Sequence, residues 1–259
     1  MYTFHTADLI LNALDTAASE KISKKPPLRI LDLCSGTGCI SLLLHAVLAS
    51  TFQNLMILGV DISSRATKLA RNNLVHNIRL GNLSDRAKTE VLFRQADVLD
   101  SPFSGIPPLR DVISNRTSRD INEPIFGANW DILISNPPYI SPSCLADGTT
   151  ARSVRVHEPL RALVPSVAGT LGLSYIDTGH VNQEDLFYPR LLSLAFGLGV
   201  NLAVFECGDL AQARRVVEMV HQMTRQPQND VRWKASIWNE GQAGEADLTG
   251  ARAVVLERN

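Results

Sequence analysis

Short apolar runs alternate along the chain with longer segments whose apolar residues recur at helical spacing. The runs Leu28–Leu33, Leu55–Val60, Val91–Gln95, Ile132–Ser135, Asn201–Glu206, Val231–Trp238 and Ala251–Glu257 read as strands. A helix is predicted from about Cys39 to Ala49, with Ile40, Leu43, Leu44 and Val47 on one side. Ser63 can N-cap a second, running through Ala66, Leu69, Ala70, Asn73 and Leu74. Two more are expected over Glu184–Phe196 and over Asp209–Thr224, the latter capped by Asp209. Ahead of the first strand, Phe4, Ala7, Leu9, Ile10, Leu11, Leu14 and Ala17 form a helical apolar face, and Lys24-Lys25-Pro26-Pro27 breaks the chain. Ser101–Asn129 reads as a long loop, and a second irregular stretch runs to about residue 182.

Strands alternating with helices imply a parallel, doubly wound α/β sheet whose crossovers are right-handed. The last two strands, joined by the short loop Asn239–Gly250 with no helical pattern, imply an antiparallel hairpin at one edge. In such sheets ligands sit at the carboxyl ends of the strands, near the point where the strand order reverses. The chemistry is therefore sought where the apolar runs end.

The first run ends in Asp32-Leu33-Cys34-Ser35-Gly36-Thr37-Gly38, where two glycines let the main chain turn sharply and approach a ligand closely. A pyrophosphate-binding loop would require a third glycine opening a helix, and Asp32 would repel that anion. The acid suits instead the ammonium of a methionine moiety, reached through water. Asp61, followed by Ile62, ends the second run, where its two oxygens can accept both hydroxyls of a ribose. Asp97 follows the third run, placed to accept from an adenine amino group, with Val98 packing on the ring. Each acid alone could equally be a turn former or helix cap. Three in register with a glycine turn point to a cationic nucleoside, S-adenosylmethionine (SAM). Seven strands with the terminal hairpin match the class I SAM-dependent methyltransferase form of the Rossmann plan, with expected order 3-2-1-4-5-7-6.

The fourth run ends in Asn136-Pro137-Pro138-Tyr139. An amide or exocyclic amino nitrogen is a poor nucleophile because its lone pair is delocalised, as the planarity of the peptide unit shows. A site can help by accepting both N–H bonds. The Asn136 side-chain carbonyl supplies one acceptor, and the rigid Pro-Pro backbone can hold the Pro137 carbonyl as the second. Tyr139 can cover a planar target. Catalysis is then mainly orientation, with no strong base required. Asn-Pro-Pro also favours a plain turn, but its place after a buried strand favours the site.

Composition narrows the reading. The 259 residues are 45% hydrophobic and 20% charged, the balance of one large domain with a core, and the net charge of −1 gives no overall pull toward nucleic acid or membrane. Lys21, Lys24 and Lys25, and Arg152, Arg155 and Arg161, read as solvated surface. Cys34, Cys39, Cys144 and Cys207 make no metal-type spacing, so a reducing compartment and no metal are expected. No stretch approaches the ~20 apolar residues of a membrane span, and the N-terminus does not read as a secretory or transit peptide.

On these residues the chain resembles the HemK/PrmC family, which methylates the glutamine side-chain nitrogen in the GGQ motif of peptide-chain release factors. The resemblance covers Ile30–Ile40, Gly59–Ser63, Gln95–Leu99, Asp131–Ser141, His157-Glu158-Pro159-Leu160-Arg161-Ala162-Leu163, Phe187-Tyr188-Pro189, and Phe205-Glu206-Cys207-Gly208 followed by Gln212. It implies that Asn136 and the Pro137 carbonyl hold the substrate amide, that Asp61, Asp97 and the glycine turn hold SAM, and that Glu158 braces the site or caps a helix. It also implies a release factor as partner, a monomer, and a mitochondrial location if the source is eukaryotic or a cytoplasmic one otherwise. The family carries an N-terminal helical domain and a P-R-x-E-T segment; Met1 lies just beyond both, so a single methyltransferase domain over residues 1–259 is expected. Ser101–Asn129 and Thr170–Asn182 exceed the compact members of the family. Two rivals stand: an N6-adenine or N4-cytosine methyltransferase, which uses the same acceptors on a flipped base, and a non-catalytic SAM-fold scaffold.

Overall fold

The computed structural model describes residues 28–101, 104–113, 129–166, 182–225, 232–239 and 252–259. The amphipathic segment from Phe4 to Ala17, the Pro26-Pro27 break, much of the loop Ser101–Asn129 and the hairpin loop lie outside the described residues.

Seven strands form one sheet: β1 (Leu28–Leu33), β2 (Leu55–Asp61), β3 (Val91–Gln95), β4 (Ile132–Ser135), β5 (Leu202–Cys207), β6 (Trp233–Asn239) and β7 (Arg252–Arg258). Their order is β3-β2-β1-β4-β5-β7-β6, as expected. The pairings are parallel from β3 through β5, and β7 runs antiparallel to both β5 and β6. The strands read as continuous apolar runs because helices cover both faces. On one face Ile30, Ile57, Ile132, Ile134 and Val204 pack with α1 (Cys39–Leu48) and α2 (Ser64–Arg79). On the other, Leu31, Leu33, Leu58, Leu133, Ala203 and Phe205 pack with residues of two later helices, among them Leu191, Leu192, Ala213 and Val216.

Helix α1 corrects the apolar face expected from Leu43 and Val47. Val47 is exposed, while Ser41 and His45 face the core beside Ile40, Leu44 and Leu48. The polar pair is tolerated because each has a partner: Ser41 Oγ donates to Asp32 Oδ2 at 2.5 Å, and His45 Nε2 meets Glu90 Oε2 at 2.9 Å. Helix α2 shows a similar rotation, burying Thr67, Ala70 and Leu74 and exposing Leu69. Its start is as expected, with Ser63 Oγ accepting from the Ala66 amide.

Short helices α3 (Ala87–Glu90) and α4 (Leu109–Ile113) flank β3. The stretch after β4, read as irregular, contains α5 (Pro142–Ala146), α6 (Arg152–His157) and α7 (Leu160–Leu163). The helix expected over Glu184–Phe196 is a 3-10 turn, Gln183–Asp185, followed by α8 (Tyr188–Leu198), with Pro189 in its first turn. Helix α9 (Leu210–Thr224) starts where Asp209 accepts from the Gln212 amide.

Candidate active site

Register places the site. Leu33 pairs with Val60 and with Ser135, and Ser135 pairs with Phe205. One residue further along, Asp61, Cys34, Asn136 and Glu206 therefore stand side by side at the carboxyl ends of β2, β1, β4 and β5. The sheet order reverses between β1 and β4, so this row lies at the switch point.

After β1 the main chain enters the left-handed region at Cys34 (φ 60°), Gly36 (φ 55°) and Gly38 (φ 81°). At Cys34 that conformation stores on the order of 1 kcal/mol, the sort of strain found where surroundings over-determine the backbone. The glycines serve different ends. A Cβ on Gly38 would sit 2.6 Å from Phe93 Cζ, so the bare Cα lets the turn pack on β3. A Cβ on Gly36 would meet nothing within 4 Å, so this residue borders open space that a side chain would fill. Thr37 is exposed, and its carbonyl is held by Asn73 Nδ2 at 3.0 Å.

Asp61 ties the turn to β2. Its Oδ2 accepts the Gly36 N–H at 2.9 Å and its Oδ1 the Ser63 N–H at 2.8 Å. Burial raises its pKa above the ordinary value, and those two hydrogen bonds oppose the rise. Each oxygen keeps one further lone-pair direction for a hydroxyl. Ile62 lends its carbonyl to Gln95 Nε2 at 2.9 Å.

Asp32 is fully buried, with Oδ1 lacking a partner. Burial raises its pKa to about 7, with the neighbouring Asp61 charge adding and the Ser41 hydroxyl opposing. The Ser35 hydroxyl is also buried without a partner. Two orphaned polar atoms beneath the turn fit a polar, cationic ligand there.

Asp97 is buried, and its oxygens accept the Leu99 amide (2.9 Å) and the Ser101 amide (3.1 Å). It thus shapes its own loop first, leaving one lone pair per oxygen. Val98, expected on an adenine face, is buried in the core with Ala96 and Leu109. Arg190 of α8 pins this loop, donating to the Val98 carbonyl at 3.1 Å and pairing with Asp100. Nothing in the local sequence indicated that pairing, which spans 90 residues.

On the other side of the switch point, Asn136, Pro138 and Tyr139 are half-buried and Pro137 is buried. The Tyr139 hydroxyl donates to Glu206 Oε1 at 2.8 Å; the β4–β5 register sets Asn136 beside the same carboxylate, whose pKa its side-chain amide lowers as a donor would. The tyrosine is thus anchored to β5 beside Gly208, where a Cβ would lie 3.1 Å from its Cδ2. Glu206 is 1% exposed, and burial lifts its pKa to about 7 against those two donors. Gln212 braces the strand end from α9: its Oε1 accepts the Gly208 amide (2.7 Å), and its Nε2 donates to the Tyr139 carbonyl (3.3 Å) and Asp185 Oδ1 (2.9 Å). Tyr188 Oη donates to the Glu206 carbonyl at 2.8 Å. The sequence reading assigned no role to Glu206, Gln212, Asp185 or Tyr188. An acid inside the apolar run Leu202–Cys207 was the available signal for Glu206.

Glu158 does not brace the site. It is exposed, and its backbone amide closes α6 on the Val154 carbonyl. The segment it begins reaches the site through the main chain, as the Ile140 amide donates to the Leu163 carbonyl at 2.9 Å. Among the described residues no cluster of His, Cys, Asp or Glu stands ready to hold a metal ion, and no helix is long and apolar enough to cross a membrane.

The sheet order and the strand-end site define a class I SAM-dependent methyltransferase fold. Solved structures agree: the N-terminal domain of human METTL16 in complex with SAH superposes with a TM-score of 0.53 at 14% identity, covering 97% of this chain and 69% of that one. No protein-family profile matches the chain. Curated sequences do. The probable MRF1 mitochondrial N(5)-glutamine methyltransferase mtq1 of Schizosaccharomyces pombe is 30% identical over 225 residues, 85% of this chain and 58% of that protein. The release factor glutamine methyltransferases of Agrobacterium fabrum (30% over 195 residues, 71% of this chain and 54% of that one) and Haemophilus influenzae (31% over 182 residues, 66% and 47%) match similarly. Over most of its length the chain is thus similar, at about 30% identity, to proteins named as release factor glutamine methyltransferases (HemK/PrmC), one of them mitochondrial. It spans about half the length of the curated relatives it matches.

Proposed function

We propose that this chain binds SAM in the crevice between the glycine turn and Asn136, and methylates the glutamine side-chain nitrogen in the GGQ motif of a peptide-chain release factor. The observation that carries the reading is the register row in which Cys34 and Asn136 follow the paired residues Leu33 and Ser135. Cys34, at the head of the glycine turn, and Asn136 thus leave adjacent strands about 5 Å apart, which supports a donor and an acceptor amide meeting there.

SAM supplies an electrophilic methyl group on a sulfonium. The residues of the chain do the rest. Gly36 leaves room for the cofactor, Asp61 accepts from its ribose, and Asp32 offers a buried negative charge toward its cationic end. Asp97 keeps a spare acceptor direction for the adenine amino group. Asn136 Oδ1 and the Pro137 carbonyl accept the two N–H bonds of the glutamine amide, turning its lone pair toward the donor. Tyr139, fixed by Glu206, walls the target slot. The alkylated nitrogen is acidic and gives its proton to solvent without a dedicated base.

The seven described strands form one sheet, which supports reading this part of the chain as one methyltransferase domain. The S. pombe relative bears a mitochondrial name, and we place this chain in the same compartment with a mitochondrial release factor as its substrate. The test supplies labelled SAM with release factor, with the same factor carrying a substituted GGQ glutamine, and with DNA. Label on the intact factor alone is expected. Label on DNA but not on the factor would overturn the reading in favour of a nucleic-acid methyltransferase, and SAM binding with no transfer would favour a scaffold.

A further inference from the structure

Glu206 occupies an apolar, fully buried strand, where an acid is destabilising unless donors surround it. The Asn-Pro-Pro-Tyr segment faces it: the Tyr139 hydroxyl donates at 2.8 Å, and the β4–β5 register sets the Asn136 side chain beside the same carboxylate, where its amide acts as a second donor. The second contact has a directional consequence. A carboxamide has a donor end and an acceptor end, and its heavy-atom shape barely distinguishes them, so its partners decide which way it points. Above its pKa of about 7 the Glu206 carboxylate is ionised and only accepts. It therefore takes the Nδ2 end of Asn136 and leaves the Oδ1 end for another donor. Two further contacts hold the main chain that carries this pair: Tyr188 donates to the Glu206 backbone carbonyl (2.8 Å), and Gln212 donates to the Tyr139 backbone carbonyl (3.3 Å).

We infer that Glu206 is a positioning residue for the reaction: it fixes the Asn136 carboxamide with its amino end inward, so that the carbonyl oxygen receives the substrate N–H, and it anchors Tyr139 through the same carboxylate. This rests on the reading that Asn136 receives the substrate amide. With the carboxamide reversed, an N–H would face an N–H, and the target nitrogen would lose one of its two acceptors.

Glu206→Gln tests the inference because glutamine keeps the shape but can offer an N–H to Asn136. Four proteins are compared: wild type, Glu206→Gln, Asn136→Ala and the double variant. Two readouts are taken, single-turnover transfer from labelled SAM to release factor and the 15N side-chain amide signal of Asn136, assigned by its loss in Asn136→Ala. Glu206→Gln should slow transfer about 10- to 100-fold, the scale of a misplaced reacting group, while SAM affinity stays within about three-fold. The double variant should be no slower than Asn136→Ala alone, since Glu206 acts through that residue. The Asn136 amide signal should move. Wild-type transfer in Glu206→Gln, an unmoved signal, or losses that multiply in the double variant would each overturn the inference. Should wild type methylate no release factor, the substrate reading fails by itself, and the amide signal still decides whether Glu206 orients Asn136. If Glu206→Gln melts early, Glu206→Asp, which withdraws the charge by one methylene, is measured the same two ways.

Discussion

The Gly36 amide nitrogen lies 2.9 Å from Asp61 Oδ2, so the end of β2 holds the glycine turn that leaves β1. One carboxylate thereby shapes the turn and, in the proposed function, also accepts from the ribose of SAM. Asp61→Ala removes both effects. Hydrogen bonds to a charged group contribute about 1.5–3 kcal/mol, so SAM affinity should fall roughly 10- to 100-fold. Calorimetric titration measures this directly, and an unchanged affinity would remove Asp61 from the cofactor site.

The two glycines of the turn should separate stability from binding. Gly38→Ala brings a Cβ to 2.6 Å from Phe93 and keeps φ at 81°. Overpacking of about 1–3 kcal/mol and left-handed strain of about 1 kcal/mol should combine to lower stability by roughly 2–4 kcal/mol. Gly36→Ala meets no neighbour within 4 Å and should cost only the left-handed strain, yet weaken SAM binding by filling the crevice. Denaturant unfolding and SAM titration of both variants check the contrast. Equal stability losses would refute it.

Asp32 should leave a mark on the pH dependence of stability. Its pKa is about 7 in the folded chain against an ordinary value of 3.8, so the folded state binds the extra proton between them. Stability therefore falls as pH rises from about 4 through about 7, where the native protein must bury a charge the unfolded chain keeps in water. Asp32→Asn removes that charge. Its thermal midpoint relative to wild type should rise steadily as pH goes from about 5 to about 8. Glu206 titrates in the same range in both proteins, so the difference between them isolates Asp32. A gap independent of pH would contradict the assignment.

The strands and their order were legible because each buried strand is a compact apolar run ended by a turn residue. Asp61, Asp97 and Asn136 stood out for the same reason, as polar residues where apolar runs stop. The face of α1 was misread because Ser41 and His45 are buried only by virtue of Asp32 and Glu90, partners 9 and 45 residues away. Helices α5, α6 and α7 span four to six residues, too short for a helical period to register. Glu206 was missed as a site residue because its meaning depends on the β4–β5 register, which sets it beside Asn136 from 70 positions later in the chain.

The central claim is a division of labour between adjacent strand ends: the turn after β1 holds the donor, and Asn136 after β4 holds the acceptor. Single-turnover transfer from prebound, labelled SAM to release factor by Asn136→Ala tests it most directly. The variant should bind SAM within a few-fold of wild type and transfer its methyl group at least about 100-fold more slowly. Transfer at the wild-type rate, or a collapse of SAM binding, would contradict the account.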